Sequence, residues 1–191
     1  MSIAEIFSEH LSVAERAARE LPPVLEQMVT AAHDCLRGGN KVLACGNGGS
    51  ATDAQHLVAE LVGRFREERR ALAAVALSAD TAILTAVGND YGYERVFARQ
   101  VEALASPGDL LFAISTSGNS PNVVLAARTA RERGCKVAGL TGARGGQLAA
   151  HADFLLQAPS IVVARIQEVH SICIHIICES LDHLLRQQAQ S

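Results

Sequence analysis

His56 and Glu60 stand four residues apart, which puts an imidazole and a carboxylate on one face of a helix, one turn from each other. Such a pair can pass protons to and from neighbouring atoms of a substrate, or place two ligands on one metal ion. It equally suits a surface hydrogen bond. The residues leading into it sharpen the choice. Val42-Leu43-Ala44-Cys45 reads as a buried strand, and Gly46-Asn47-Gly48-Gly49-Ser50 as a turn in which three glycines relieve the steric limits on the backbone. From Ser50 onward the pattern is helical, with Ser50 or Thr52 placed to cap the first free N–H groups. A strand, a glycine turn and a helix N-terminus together offer backbone donors and a positive dipole end to an anion, most often phosphate.

A second polar turn follows the apolar run DLLFAI, residues 109–114. Ser115-Thr116-Ser117-Gly118-Asn119-Ser120 carries four hydroxyls into a helix that opens at Ser120-Pro121-Asn122, with proline at a favoured position. Hydroxyls and free N–H groups suit the acceptor oxygens of a phosphate, and an ordinary capping turn has the same composition. Two such turns at one sheet edge favour a phosphosugar or similar anion. The glycine turn is neither a GxGxxG fingerprint nor a P-loop with its lysine, so a nucleotide is the weaker ligand. The final helix adds Gln167 and His175, eight residues or about 12 Å apart along the axis. His175 sits between Ile174 and Ile176, where a core histidine is the competing reading. Asn89-Asp90 reads as a further polar loop. Arg64, within a cluster running to Arg70, could reach a phosphate, although the interleaved Glu67 and Glu68 suggest a solvated helix end.

The elements that must hold these residues alternate. Helices are expected over 2–21 and 23–36, strands near 42–45, 72–77, 109–114, 136–140 and 153–157, and helices from Ser50 onward and over 78–87, 93–104 and 120–133. A long apolar helix spans 161–188. This order implies a doubly wound α/β fold with about five parallel strands, in which ligands bind at the carboxyl ends of the strands where their order reverses. The 191 residues suit one domain. The two leading helices exceed what a small sheet needs, which suggests packing against another subunit. A net charge of -3, 4% aromatic residues and no tryptophan argue against a nucleic-acid binder. Five scattered cysteines without CxxC spacing read as reduced buried thiols. The N-terminus lacks signal-peptide character and no apolar run spans a bilayer, so a soluble, cytoplasmic protein without membrane contact is expected.

Taken in order, CGNGGSATDAQHLVAELVGRF, VGNDYG, ISTSGNSPN, LTG with a following GG, and RIQEVHSICIH resemble the phosphoheptose isomerases, of the sugar-isomerase (SIS) domain group. The resemblance covers nearly the whole chain and implies a flavodoxin-like SIS domain. It also implies a homotetramer with sites shared between subunits, which converts sedoheptulose 7-phosphate to D-glycero-D-manno-heptose 7-phosphate for lipopolysaccharide core or related glycans. Carried onto this chain, the zinc ligands fall on His56, Glu60, Gln167 and His175, with Glu60 as base and His175 as general acid. The substrate positions fall on Asn47, Gly48, Gly49, Asn89, Asp90, Ser115, Thr116, Ser117, Ser120 and Gln167, to which Ser50, Glu60 and Arg64 are added as candidates. Relatives often carry an acidic residue where this chain has Ala164. A rival reading comes from non-catalytic SIS proteins that bind the replication initiator. They tend to lose the carboxylate and imidazole that this chain keeps at Glu60 and His175. A third is an isomerase or sensor for another phosphosugar.

Overall fold

The computed structural model describes residues 2–189. Strands β1 (Val42–Gly46), β2 (Ala74–Ala76), β3 (Leu110–Ile114), β4 (Lys136–Gly142) and β5 (Phe154–Ala158) form one parallel sheet in the order β2-β1-β3-β4-β5. The chain moves outward from β1 to β2, then crosses back to place β3 on the other side of β1. The β1–β3 boundary is therefore the switch point at which a crevice opens. Helices α1 (Ile3–Glu20) and α2 (Pro22–Arg37) precede the sheet. Helices α3 (Gly49–Val62), α4 (Thr81–Tyr91), α5 (Ala98–Leu104), α6 (Pro121–Glu132) and α7 (Val163–Ala189) complete the fold. It is the expected doubly wound architecture.

The period-two alternation of the central strands builds two cores. Val42, Ala44, Leu110, Phe112 and Ile114 point to the face covered by α2, α3 and α7. Leu43, Cys45, Leu111 and Ala113 point to the face covered by α5 and α6. Both faces being covered explains why β1 and β3 are apolar throughout rather than alternating. Asp109 locks the two central strands at their starts. Its carboxylate accepts from the Lys41 and Ser106 backbone N–H groups (2.9 and 2.8 Å) and pairs with Lys41 Nζ at 2.7 Å. Burial opposes the charge on Asp109, but these donors outweigh it and hold the carboxyl below its ordinary range.

Several expected boundaries move. The second strand is three residues long rather than 72–77. Helix α4 begins after Asp80, whose Oδ1 accepts from the Ile83 N–H (2.9 Å), and continues through Gly88. Asn89 and Asp90 therefore lie in its last turn and not in a loop. An internal glycine lowers helix stability without ending the helix; the stop is Gly92, at φ 88°. The expected 93–104 helix is split into a 3₁₀ turn over Tyr93–Arg95 and α5. Residues 64–70 are an irregular loop after α3, not a helix end. Helix α2 does cover the sheet, burying Met28, Ala32 and Leu36, whereas among the described residues α1 buries Val13 only.

The buried histidine of α7 is His170. Its Nε2 faces the Thr141 carbonyl at 3.1 Å and must carry the hydrogen, which leaves Nδ1 a buried lone pair without a partner among the described residues. Burial lowers its pKa to about 4, against an ordinary 6.5. The unfolded chain thus binds a proton below pH 6.5 that the folded chain refuses until about pH 4, and stability falls across that window as pH falls. Urea unfolding at pH 5 should give a protein weaker by about 2 kcal/mol than at pH 7. A His170→Gln variant should lose that difference. A wild type equally stable at both values would refute the assignment. Asp109 and Asp182, whose pKa values are lowered, act below the ordinary carboxylate range, whereas Asp53, raised by burial, acts against His170 as pH falls, which makes the difference lost in His170→Gln the decisive reading.

Candidate active site

The first half of the site is the turn between β1 and α3. Gly48, two residues past the end of β1, takes φ 55°, a conformation that favours glycine. Gly48 itself is the N-cap of α3, so neither Ser50 nor Thr52 caps the helix as expected. Ser50 is buried inside the first turn, and the Thr52 hydroxyl donates to the Gly49 carbonyl (2.6 Å). The side-chain amide of Gln167, from α7, lies so close over Gly49 that a methyl group there would overlap it. Gln167 therefore belongs to this turn.

The second half is the turn between β3 and α6, adjacent because β1 and β3 pair. Ser115 is buried. Its Oγ bonds Ser120 Oγ at 2.9 Å and reaches Ser117 Oγ at 3.5 Å, gathering three hydroxyls. Thr116 is half-buried, and its carbonyl accepts from the Gly142 N–H (2.9 Å). Ser120 is the N-cap of α6 without spending its side chain on a capping bond, and Pro121 opens the helix.

Two asparagines join the halves. Asn122 Oδ1 accepts from the Val123 backbone N–H (2.9 Å), which fixes its amide orientation. It also accepts from Asn47 Nδ2 (2.8 Å), while Asn122 Nδ2 donates to Asn47 Oδ1 (2.9 Å). The Tyr93 hydroxyl donates to the same Asn47 oxygen at 3.1 Å. With its oxygen doubly occupied, Asn47 retains one N–H to offer to a ligand. Asn122 and Tyr93 were not singled out by residue type. Asn122 lies inside the ISTSGNSPN motif, so position could have suggested it, whereas nothing local marks Tyr93.

Further along α3 the acid/base groups meet. His56 Nε2 is 3.1 Å from Glu60 Oε1 and 3.3 Å from His175 Nε2 of α7, and the two imidazole rings stand edge to face with centroids 4.9 Å apart. Each neutral ring carries its hydrogen on Nδ1 or Nε2, so both Nε2 atoms can present a lone pair beside the carboxylate. They form a cluster of acceptors able to share a proton or face a cation. His175 is exposed, so the core-histidine reading does not hold. Phe65 packs against its ring, with centroids 5.4 Å apart. Beneath the cluster, Asp53 accepts from the Ser171 hydroxyl (3.1 Å), and its other oxygen is buried without a partner among the described residues. Burial raises the Asp53 carboxyl despite that bond and the nearby His56.

The remaining candidates lie apart. Gln167 is two turns of α7 from His175, at the glycine turn rather than in the cluster. Asn89 and Asp90 are exposed and bonded to each other (2.7 Å). Arg64 is 60% exposed and faces Glu68 at 3.7 Å, so it is a surface residue. Arg69, which its charged neighbours make look solvated, instead turns inward to pair with Asp182 of α7, its side chain 11% exposed. Among the described residues no group of three or more His, Cys, Asp and Glu side chains is arranged to hold a metal ion as it stands. The donor types of the cluster, two imidazoles and a carboxylate, are nonetheless those of zinc centres. Among the described residues, no helix is long and apolar enough to cross a membrane.

Residues 7–142 match the model of the SIS domain. The chain is 54% identical over 171 residues to a phosphoheptose isomerase of Pelobacter propionicus, covering 90% of each. Its fold is similar to that of the phosphoheptose isomerase of Neisseria gonorrhoeae (TM-score 0.90, 46% identity, 95% of this chain and 97% of that one). A similar match is found to the Francisella tularensis phosphoheptose isomerase (TM-score 0.92, 41% identity, 95% and 96% covered).

Proposed function

The chain belongs to the phosphoheptose isomerases, a family built on the SIS domain, and we propose that its site interconverts D-sedoheptulose 7-phosphate and D-glycero-D-manno-heptose 7-phosphate. The observation that carries this reading is the meeting of His56, Glu60 and His175 on α3 and α7, the helices that also meet at the phosphate-type turn through Gly49 and Gln167.

Aldose–ketose isomerisation moves one proton between adjacent carbons and another between their oxygens, through an enediol. Glu60 is the base that removes the carbon-bound proton and returns it to the neighbouring carbon. His175 carries the proton between the two oxygens, and the His56 contact holds both partners. The hydroxyls of Ser115, Thr116, Ser117 and Ser120, together with the N–H groups at Gly48 and Gly49, hold the phosphate end, while the Ser50 N–H is spent on the Asn47 carbonyl (3.0 Å). Asn47 and Gln167 orient the sugar chain between the two ends. Asn89, Asp90 and Arg64 take part only if another subunit brings the substrate to them. The retained Glu60 and His175 speak for an enzyme over the non-catalytic, initiator-binding alternative.

His56, Glu60 and His175 are the side chains that would hold zinc, with Gln167 the further ligand that the family resemblance implies. A bound zinc supplies a Lewis acid for the substrate carbonyl oxygen. A homotetramer with shared sites fits the exposed apolar residues Ile3, Phe7 and Leu11 of α1 and the apolar helix α4, which buries none of its residues. We place the reaction in the cytoplasm, supplying the heptose of lipopolysaccharide core or related glycans.

The test is an isomerase assay with sedoheptulose 7-phosphate, before and after dialysis against a chelator, with zinc content measured alongside. Turnover, lost with about one zinc per chain and restored by zinc, is the expected result. Turnover that persists in metal-free protein would remove zinc from the proposal and leave the isomerase reading intact. Binding of the sugar phosphate without turnover would overturn the isomerase reading itself.

A further inference from the structure

The two helices that carry the acid/base cluster are joined a second time, about two turns of α7 beyond His175, by a pair of charged side chains. Arg69 lies in the 63–70 loop, which follows directly on α3, and Asp182 lies on α7, seven residues after His175 and therefore on nearly the same helix face. Their side chains are 11% and 4% exposed. Arg69 Nε donates to Asp182 Oδ1 at 2.6 Å. Its two terminal nitrogens donate to the backbone carbonyls of Glu60 (2.7 Å) and Leu61 (2.9 Å), which are orphan acceptors at the C-terminus of α3. The other oxygen of Asp182 accepts from the backbone N–H groups of Arg66 (3.2 Å) and Glu67 (3.4 Å). Burial opposes the Asp182 charge, but these donors outweigh it.

One guanidinium thus grips the backbone of the base residue itself, and one carboxylate fixes that grip to the helix bearing the general acid. The same loop lays Phe65 against the His175 ring and pairs Arg66 with Glu179 and Glu67 with Arg186 of α7. The planar fork of arginine is needed for this task, since it serves four acceptors in fixed directions, the fourth being the Arg70 carbonyl at 3.2 Å.

We infer that Arg69 and Asp182 are positioning residues for the isomerisation: together they set the separation of Glu60 from His175 across the α3–α7 seam. This rests on the assignment of Glu60 and His175 above. Neither residue is hydrogen-bonded to the cluster's side chains, Arg69 reaching only the Glu60 backbone, and the phosphate-type turns lie at the opposite end of α3. Loss of the pair should therefore change the chemical step and leave substrate binding nearly intact.

The experiment compares wild type, Asp182→Asn, Arg69→Lys and, as a stability control, Val137→Ala, whose site is fully buried in the core on the far side of the sheet. Each is assayed with sedoheptulose 7-phosphate below its melting temperature, and the first two variants are crystallised. Asp182→Asn and Arg69→Lys should lose on the order of 10²-fold in kcat with KM changed by no more than about twofold. Their structures should show Glu60 withdrawn from His56 and His175. Val137→Ala should melt lower and keep its kcat. Wild-type kcat in both pair variants overturns the inference, and so does a lost kcat with Glu60 and His175 unmoved. Should Asp182→Asn fail to fold, Arg69→Lys, which keeps the charge, decides by the same criteria. If the wild type turns nothing over, the isomerase reading fails, and the positions of Glu60 and His175 in the variant structures still decide whether the pair sets them.

Discussion

Glu60→Gln should lower kcat by about 10²–10⁴-fold, the range ascribed to a positioned general base. The substitution keeps size and shape, and an amide offers both a donor and an acceptor to His56 Nε2, now 3.1 Å from the carboxylate. The fold and the contact can therefore persist while the base is gone. The check is turnover of sedoheptulose 7-phosphate together with exchange of its transferable carbon-bound proton into deuterated water. Both should disappear, with the melting temperature nearly unchanged. Metal content belongs in the same measurement, since Glu60 is also proposed as a ligand. A variant that retains zinc yet no longer exchanges the proton isolates the base role. Retention of more than about a tenth of wild-type turnover would take that role from Glu60.

Gly118→Ala should be among the most damaging single-methyl changes in the chain. Gly118 takes φ 66° in the hydroxyl-rich turn, and a methyl group there would overlap the carbonyl oxygen of Gly145 and crowd the Gly146 backbone. Both obstacles are main chain and cannot swing aside. Gly39 offers the comparison: it takes φ 80°, but an added methyl would meet open space. Gly39→Ala should thus cost about 1 kcal/mol for backbone conformation, and Gly118→Ala about 3 kcal/mol for conformation plus overlap. Urea denaturation measures both. Phosphosugar affinity should fall with Gly118→Ala only, because the turn bearing Ser117 and Ser120 must shift. Equal effects at the two glycines would show that the approach of the two loops is not a constraint.

The parts of the molecule legible from sequence were those with a local signature. Apolar runs ending in glycine or hydroxyl turns located β1, β3 and the phosphate-type turns. The βα alternation implied the parallel sheet on whose central edge both turns lie. What escaped was set by tertiary contact. Gly88 and the polar Asn89-Asp90 looked like a loop, yet the Asp80 cap and the distant stop at Gly92 carry the helix through them. Arg69 looked solvated among Glu67, Glu68 and Arg70, because charge interleaving says nothing of a carboxylate 113 positions away that pulls one arginine inward. His175 looked equally suited to the core from its isoleucine neighbours. The rotation of α7 against α3 exposes it beside His56 and buries His170 instead. The family resemblance brought His175 to attention, and the fold supplies its neighbours.

The strand order has a consequence for how the protein comes into being. β1 is the first strand synthesised, but one partner it needs is β3, whose register with β1 is held by Asp109 against Lys41, 68 positions earlier in the chain. A polypeptide still emerging from the ribosome carries only the glycine half of the anion cradle until Ser115 and Asn122 arrive and Asn47 finds its partner. At the site proposed above, phosphosugar would bind only across a completed β1–β3 seam. A metabolite bound there would stabilise the whole domain rather than a single loop, acting as a small chaperone for the very strand pairing that loop-closure entropy delays most.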